Sequence, residues 1–297
     1  MGVNGILNVN KPCGPTSFSM VAAVRRLSGE KRVGHAGTLD PGASGVLPVC
    51  LGQAVRLTEY IHHFPKEYVA GIMLGATTDT LDAQGSLTSR GDASGITEEQ
   101  VRQELQCFVG EISQAPPAYS AKKVGGKKSY RLARKGTSVP LEPRQVTINT
   151  IDMISFSNPY LKVRVHCSTG TYIRALARDL GTALGCGAYL QDLVRTAYGP
   201  YRIEDALSPD ELSRQAGEGG LLSLLYPVDH PLQSWQRHVL DDRDSTLVLG
   251  GTAIHIPADT LDKGQLLCCY DRSGRFLAIL KHSAENCLWW PEKVFSL

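Results

Sequence analysis

The chain has 297 residues, 42% hydrophobic and 20% charged, with a net charge of only +2 at pH 7. That length and balance suit roughly two domains with a sizeable core, and they exclude an extensively disordered chain. No apolar run reaches the ~20 residues of a membrane-spanning helix, and Met1 leads into a Gly/Asn-containing strand rather than a basic-then-apolar leader, so a cytoplasmic protein with no membrane partner is expected.

In chain order, Gly5 to Asn10 reads as a strand, and Ser17 is a candidate N-cap for a helix through about Leu27. A glycine-studded loop over Val33 to Gly45 leads into an apolar strand over Val46 to Leu51. Residues 54 to 63 read as helical, Tyr68 to Leu74 as a strand, and 76 to 96 as turn-rich. Thr97-Glu-Glu-Gln100 has capping-box spacing and opens a helix to about Phe108.

Further on, Gln145 to Phe156 and Leu161 to Cys167 form a hairpin pattern around Asn158-Pro159. Thr171 to Leu184 is a helix ended by Gly185 and Gly187, and Leu190 to Ala197 a strand. After a Gly- and Pro-containing stretch over Gln215 to Leu232, short strand patterns recur at 247–249, 253–256, 265–270, 276–281 and 286–290. The expected class is α+β, with adjacent antiparallel strands and interspersed helices. A domain boundary is expected near residue 233, giving 1–232 and a small β-rich domain over 233–297.

Charge is unevenly placed. From Pro116 to Arg144 eight basic residues, including Lys122, Lys123, Lys127 and Lys128, face Glu142 alone, so a window of +7 sits on a body of −5. Such a stripe fits a polyanion, against the plain alternative of a solvated charge run. The eight cysteines never take C-x-x-C spacing, and the histidines form no H-E-x-x-H, so buried thiols are expected and neither metal nor cofactor.

The stretch Val33-Gly-His-Ala-Gly-Thr-Leu-Asp-Pro-Gly-Ala-Ser-Gly45 packs four glycines around one acid followed by proline. Such a loop lets backbone lie close to a ligand and presents Asp40. On composition alone it also reads as an ordinary Asp-Pro-Gly turn.

Gly37-Thr-Leu-Asp-Pro-x-Ala-Ser-Gly45 resembles the catalytic motif of the TruB family of tRNA pseudouridine synthases. Asn10-Lys11-Pro12-x-Gly14, Lys66-Glu-Tyr68, the block from Leu74 to Gly85, Pro116-Pro-x-Tyr119-Ser-Ala-x-Lys123, Gly170-Thr-Tyr-Ile-Arg174, and Gly185-Cys-Gly-Ala188 with Leu193-x-Arg195-Thr resemble further family signatures, in the family's order. Gly42 departs from the pattern, since bacterial relatives often carry an apolar residue there.

The resemblance implies a pseudouridine synthase fold with a mixed, largely antiparallel sheet, an RNA-gripping thumb inserted at about 116–144, and a C-terminal module similar to PUA domains. It implies conversion of the T-loop uridine (position 55) of tRNA to pseudouridine, with a carboxylate at the sugar C1′ as in glycosidases. Asp40 takes that role. Tyr68 matches the tyrosine that stacks on the base, Arg174 the partner of the acid, Leu193 an apolar residue beside the base, and Asp82 an acid of the RNA-facing pocket. Lys11 falls in a matching motif and is expected on the RNA-binding side.

His35 matches a residue that fills the gap left by a flipped nucleotide. Lys122, Lys123, Lys127 and Lys128 would grip phosphates. The implied partners are the T-arm, elbow and acceptor end of tRNA, with no guide RNA, and the protein would act as a monomer. An RNA-folding factor with vestigial catalytic residues and a nucleosidase releasing uracil are the competing readings.

Overall fold

In the computed structural model, which describes residues 2–117, 123–124, 127–128, 142–256, 265–283 and 285–297, the chain opens with β1 (Gly5–Lys11), α1 (Ser17–Ser28), β2 (Val33–His35) and β3 (Ala43–Leu51). A 3₁₀ turn over Gly52–Leu57 runs into α2 (Thr58–His62). Next come β4 (Lys66–Leu74), the small pair β5 (Ala76–Thr78) and β6 (Leu87–Arg90), α3 (Glu98–Gln106) and β7 (Gly110–Gln114). Short strands β8 (Lys123–Val124) and β9 (Lys127–Lys128) pair with each other. The long hairpin β10 (Arg144–Ser157) and β11 (Tyr160–Cys167) precedes α4 (Ile173–Ala183), β12 (Ala188–Tyr198), β13 (Tyr201–Arg202) and α5 (Pro209–Gly219). The chain finishes with β14 (Arg237–Val239), α6 (Asp242–Leu249), β15 (Leu266–Tyr270), β16 (Phe276–Ser283) and β17 (Leu288–Val294).

The main sheet runs β1-β3-β12-β4-β11-β10-β7, with β2 added to β3 and β13 to β12. Among the described residues only its β3–β12 pairing is parallel; its other ladders are antiparallel. The second sheet, β14-β15-β16-β17, lies wholly after residue 236. This is the α+β architecture the sequence leads one to expect, with a β-rich C-terminal part.

β3 lacks polar alternation because both of its faces are covered. Leu47, Val49 and Leu51 belong to a core with α1, Tyr68 and the inner face of α4, while Val46 and Cys50 belong to a second core. That second core also takes in Tyr198 and Tyr201 from the main sheet, and Cys268, Tyr270, Phe276, Ile279 and Phe295 from the C-terminal part. A third cluster around Trp289 fills the space between α6 and the small sheet.

Several local readings need correction. Thr16, not Ser17, caps α1: its side chain accepts from the Ser19 N–H, while Ser17 is the first helical residue. Residues 247–249 close a helix opened by the Asp241 cap instead of forming a strand, and 253–256 contributes only a bridge between Ile254 and Trp289. The helix α5, with a Ser208–Glu211 capping box and Pro209 in its first turn, stands where the sequence pattern names no element before the Gly- and Pro-containing stretch from Gln215.

Candidate active site

The turn between β2 and β3 is held from several sides. The Ser17 hydroxyl donates to the Leu39 carbonyl and accepts from the Leu39 N–H, both at 2.9 Å, which ties the residue before Asp40 to α1. Within the turn, the Ala43 N–H donates to the Asp40 carbonyl at 3.0 Å. Gly37 has φ of 76°, and a Cβ there would come 2.7 Å from Cε1 of Tyr198. Gly45, at φ 104°, lies so close to β12 that a Cβ would meet the Arg195 carbonyl at 2.2 Å. Both positions therefore require glycine for conformation and for space.

Arg174 occupies the first turn of α4 and is 7% exposed. Its Nη2 lies 2.8 Å from Asp40 Oδ2, and Nη1 lies 3.5 Å from Asp82 Oδ2 and donates to the Thr80 carbonyl at 3.0 Å. One guanidinium thus bridges two carboxylates, and the Asp40 side chain stays 48% exposed. A buried cation facing a half-exposed acid aims it without closing it off.

The Asp82 turn is braced as well. Asp82 Oδ1 accepts from Thr80 Oγ1 at 2.5 Å and from the Gln84 N–H at 3.1 Å. The Ala83 N–H donates to the Leu190 carbonyl and the Leu190 N–H to the Leu81 carbonyl, pinning the turn to β12. Leu81 takes the left-handed conformation, φ 63°, a strain that persists only where the surroundings over-determine it.

These groups converge on a cavity of about 230 Å³ lined by Asp40, Tyr68, Arg174, Leu193, Lys66, Arg195 and Tyr198, with the Thr169–Ile173 segment on one wall. A second cavity of about 160 Å³ lies on the other side of Asp40 and Arg174, lined by Cys13, Gly42, Asp82, Gln84 and Leu193 among others. A Cβ at Gly42 would come 3.1 Å from Nε2 of Gln84, a flexible side-chain end. The departure at this position therefore widens the second cavity and leaves the Asp40–Arg174 contact untouched.

Of the residues singled out from sequence, Asp40, Tyr68, Arg174 and Leu193 share the first cavity, and Asp82 joins them through Arg174. Lys11 is buried, and its Nζ donates to the Pro12 and Pro15 carbonyls at 2.8 Å each, so its charge braces the β1–α1 loop and is not presented to solvent. Burial lowers its pKa, with Cys13 and then Asp40 opposing. His35 sits on β2 opposite Val49, outside the lining of the first cavity, and its Nδ1 is buried without a hydrogen-bond partner among the described residues. Burial, and then the Arg195 charge, hold its pKa below the usual value. Lys122 lies outside the described residues, as do the side chains of Lys123, Lys127 and Lys128.

Four residues of the site were not anticipated. Ser17 holds the turn, and Lys66, Arg195 and Tyr198 form the cavity floor. Lys66 Nζ donates to the His62 carbonyl at 3.2 Å and the Phe64 carbonyl at 2.8 Å, and lies 4.3 Å from the Tyr198 ring centre. Burial, reinforced by the Arg195 charge, brings its pKa down to about 8. Burial pushes the Tyr68 phenol up, and the charge of Arg195 and hydrogen bonding to it pull the other way. Among the described residues no group of three or more His, Cys, Asp or Glu could hold a metal ion, and no helix is long and apolar enough to cross a membrane.

Asp40 and the buried Tyr68 line one cavity, and comparison with known proteins decides the family. The description "TruB family pseudouridylate synthase (N terminal domain)" matches residues 25–173, and "tRNA pseudouridylate synthase B C-terminal domain" matches 174–233. The chain belongs to the TruB family.

Among curated relatives, the "tRNA pseudouridine synthase B" of Dehalococcoides mccartyi (strain CBDB1) is 43% identical over 99% of this chain and 97% of its own. That of Geobacillus thermodenitrificans is 38% identical, over 99% of this chain and 100% of its own. Among solved structures, a Cbf5-Nop10-Gar1 complex matches with a TM-score of 0.77 and 26% identity, covering 98% of this chain and 85% of that one. As a TruB-family member the protein is an enzyme, a pseudouridine synthase of the isomerase class. The sheet that carries Tyr68 and Leu193 is the sheet of that fold.

Proposed function

We propose that this TruB-family enzyme isomerises the T-loop uridine (position 55) of tRNA to pseudouridine, with Asp40 as the catalytic carboxylate. The observation that carries the reading is the 2.8 Å pairing of Asp40 with Arg174 at the edge of the cavity that Tyr68 lines. The target nucleotide is flipped out of its stack into that cavity. The C1′–N1 bond breaks with its electron pair passing to the uracil ring, and the Asp40 carboxylate stabilises or traps the electron-poor C1′. The base turns while still enclosed, C5 bonds to C1′, the proton on C5 leaves and N1 gains one, so the product is an isomer.

Tyr68 is suited to stack on the base, a contact worth ~1–3 kcal/mol. Leu193, between Ala43 and Ala70 in the sheet, supplies an apolar wall. The basic window over 116–144 grips phosphates of the T-arm and elbow, and residues 233–297, as a PUA-like domain beside the catalytic domain over 1–232, hold the acceptor end. On this reading the enzyme works as a cytoplasmic monomer without guide RNA. Gripping and releasing the elbow would also give it a secondary role in tRNA folding.

Asp40→Asn is the direct test: pseudouridine mapped at single-nucleotide resolution in an unmodified transcript should vanish while tRNA affinity changes by only about a fewfold. Continued product formation refutes the assignment of Asp40, and release of free uracil by the native enzyme would make it a nucleosidase. Neutralising Lys122, Lys123, Lys127 and Lys128 together should weaken binding and flatten its salt dependence.

A further inference from the structure

Arg195 is 1% exposed, yet among the described residues no carboxylate pairs with it. Enclosing a guanidinium without a counter-ion carries a large desolvation penalty, and its hydrogen bonds show what offsets it. Nε donates to the Val46 carbonyl at 2.7 Å and Nη2 to the Gly37 carbonyl at 3.1 Å. Those two carbonyls flank the turn that carries Asp40. The backbone of Arg195 reinforces the grip, pairing with Gly45 in the parallel ladder. On the other side Arg195 is the direct cross-strand partner of Tyr68. Its Cζ lies 4.8 Å from the centre of the Tyr198 ring, the ring that backs Gly37.

We propose that Arg195 is a positioning residue that holds the Asp40 turn and the Tyr68 phenol at one fixed separation, so that the acid at the sugar carbon and the phenol at the base act on the same bound nucleotide. The proposal rests on the function given above. Once C5 has bonded to C1′, the C5–H bond breaks, its electron pair restores the conjugated ring, and the proton passes to the Tyr68 phenolate oxygen. Burial holds the Tyr68 phenol above its usual value, and the Arg195 guanidinium, cross-strand from that oxygen, opposes the rise. The same guanidinium fixes the turn whose carboxylate began the reaction, so one side chain serves both halves of the chemistry.

The test uses the full chain and an unmodified tRNA transcript under single-turnover conditions, at a temperature where every variant is folded. Arg195→Lys keeps a cation but cannot hold both carbonyls. Its rate should fall about 100-fold, as a small misplacement of reacting groups does, with tRNA affinity within about twofold. Its rise in rate with pH should move to higher pH, because the phenol loses the hydrogen bond of the guanidinium. In a Tyr68→Phe background the same change should slow the reaction by a smaller factor, because one of its two targets is gone.

A wild-type rate for Arg195→Lys overturns the proposal, as does a slowed enzyme whose pH profile is unshifted. Arg195→Met extends the series, and should it fail to fold, the lysine variant carries the test. A native enzyme that makes no pseudouridine, or an Asp40→Asn variant that does, refutes the underlying function instead.

Discussion

Arg174 Nη2 approaches Asp40 Oδ2 at 2.8 Å with the arginine side chain 8% and the acid side chain 48% exposed, so the two members of the pair belong to different environments. The buried member is the one whose geometry can be tested by a conservative change. Arg174→Lys replaces a planar fork by a single point charge, which cannot serve Asp40, Asp82 and the Thr80 carbonyl together. The single-turnover rate should drop by about tenfold or more, as expected for a misaimed group, with tRNA affinity retained. A rate equal to the native one would show that Asp40 is aimed by something else.

Ser17→Ala removes a hydroxyl that both donates to and accepts from Leu39. Two buried backbone groups then lose their partner, a loss of about 1–3 kcal/mol. Urea unfolding should show that loss, and turnover should fall with it because the freed residue adjoins Asp40. Equal stability in Ser17→Ala and native protein would mean that water replaces the hydroxyl.

Gly37→Ala should be disproportionately harmful. The left-handed conformation alone disfavours a side chain by about 1–2 kcal/mol, and the new methyl also collides with Tyr198. Gly95→Ala is the control, since a Cβ there meets nothing within 4 Å. Thermal midpoints of the two variants should separate clearly, with Gly95→Ala near the native value.

Lys66 predicts a pH dependence of stability. Its pKa in the folded enzyme is brought down to about 8 from an ordinary 10.5. Between those values the unfolded chain holds the proton more firmly than the folded one, so this group makes stability rise with pH across that window. Below pH 8 both states are protonated and the slope from Lys66 disappears. Melting midpoints from pH 7 to 10.5 should therefore show a more positive trend in native protein than in Lys66→Met. Parallel curves would contradict the assignment.

Much of the site can be read in the chain because its parts are local. The glycines around Asp40 announce a shaped turn, and Gly170-Thr-Tyr before Arg174 announces a helix start with the arginine in its first turn. The floor was missed although a signal existed. Lys66 and Tyr68 stand two apart on β4, and Leu193 and Arg195 two apart on β12, so strand alternation alone puts each cation on the same face as a recognised site residue. A lysine and an arginine on an inward face look like errors of strand phase until tertiary carbonyls are found for them. Ser17 failed for another reason: by type serine is the better cap, yet Thr16 takes the cap on the Ser19 N–H while the Ser17 hydroxyl is engaged by Leu39, 22 residues away. Helix α5 was obscured by its own glycines at 217 and 219 and by Gly220 just beyond it.

The apolar layer shared by Val46, Cys50 and Tyr198 on one side and by Cys268, Phe276, Ile279 and Phe295 on the other makes the two sheets mutually dependent. Cutting the chain after residue 232 would wet the underside of the very strand whose upper end carries the Asp40 turn. The C-terminal part therefore acts as a foundation for the strand that carries Asp40, and a shortened protein should lose turnover through loosened architecture before it loses any grip on its substrate.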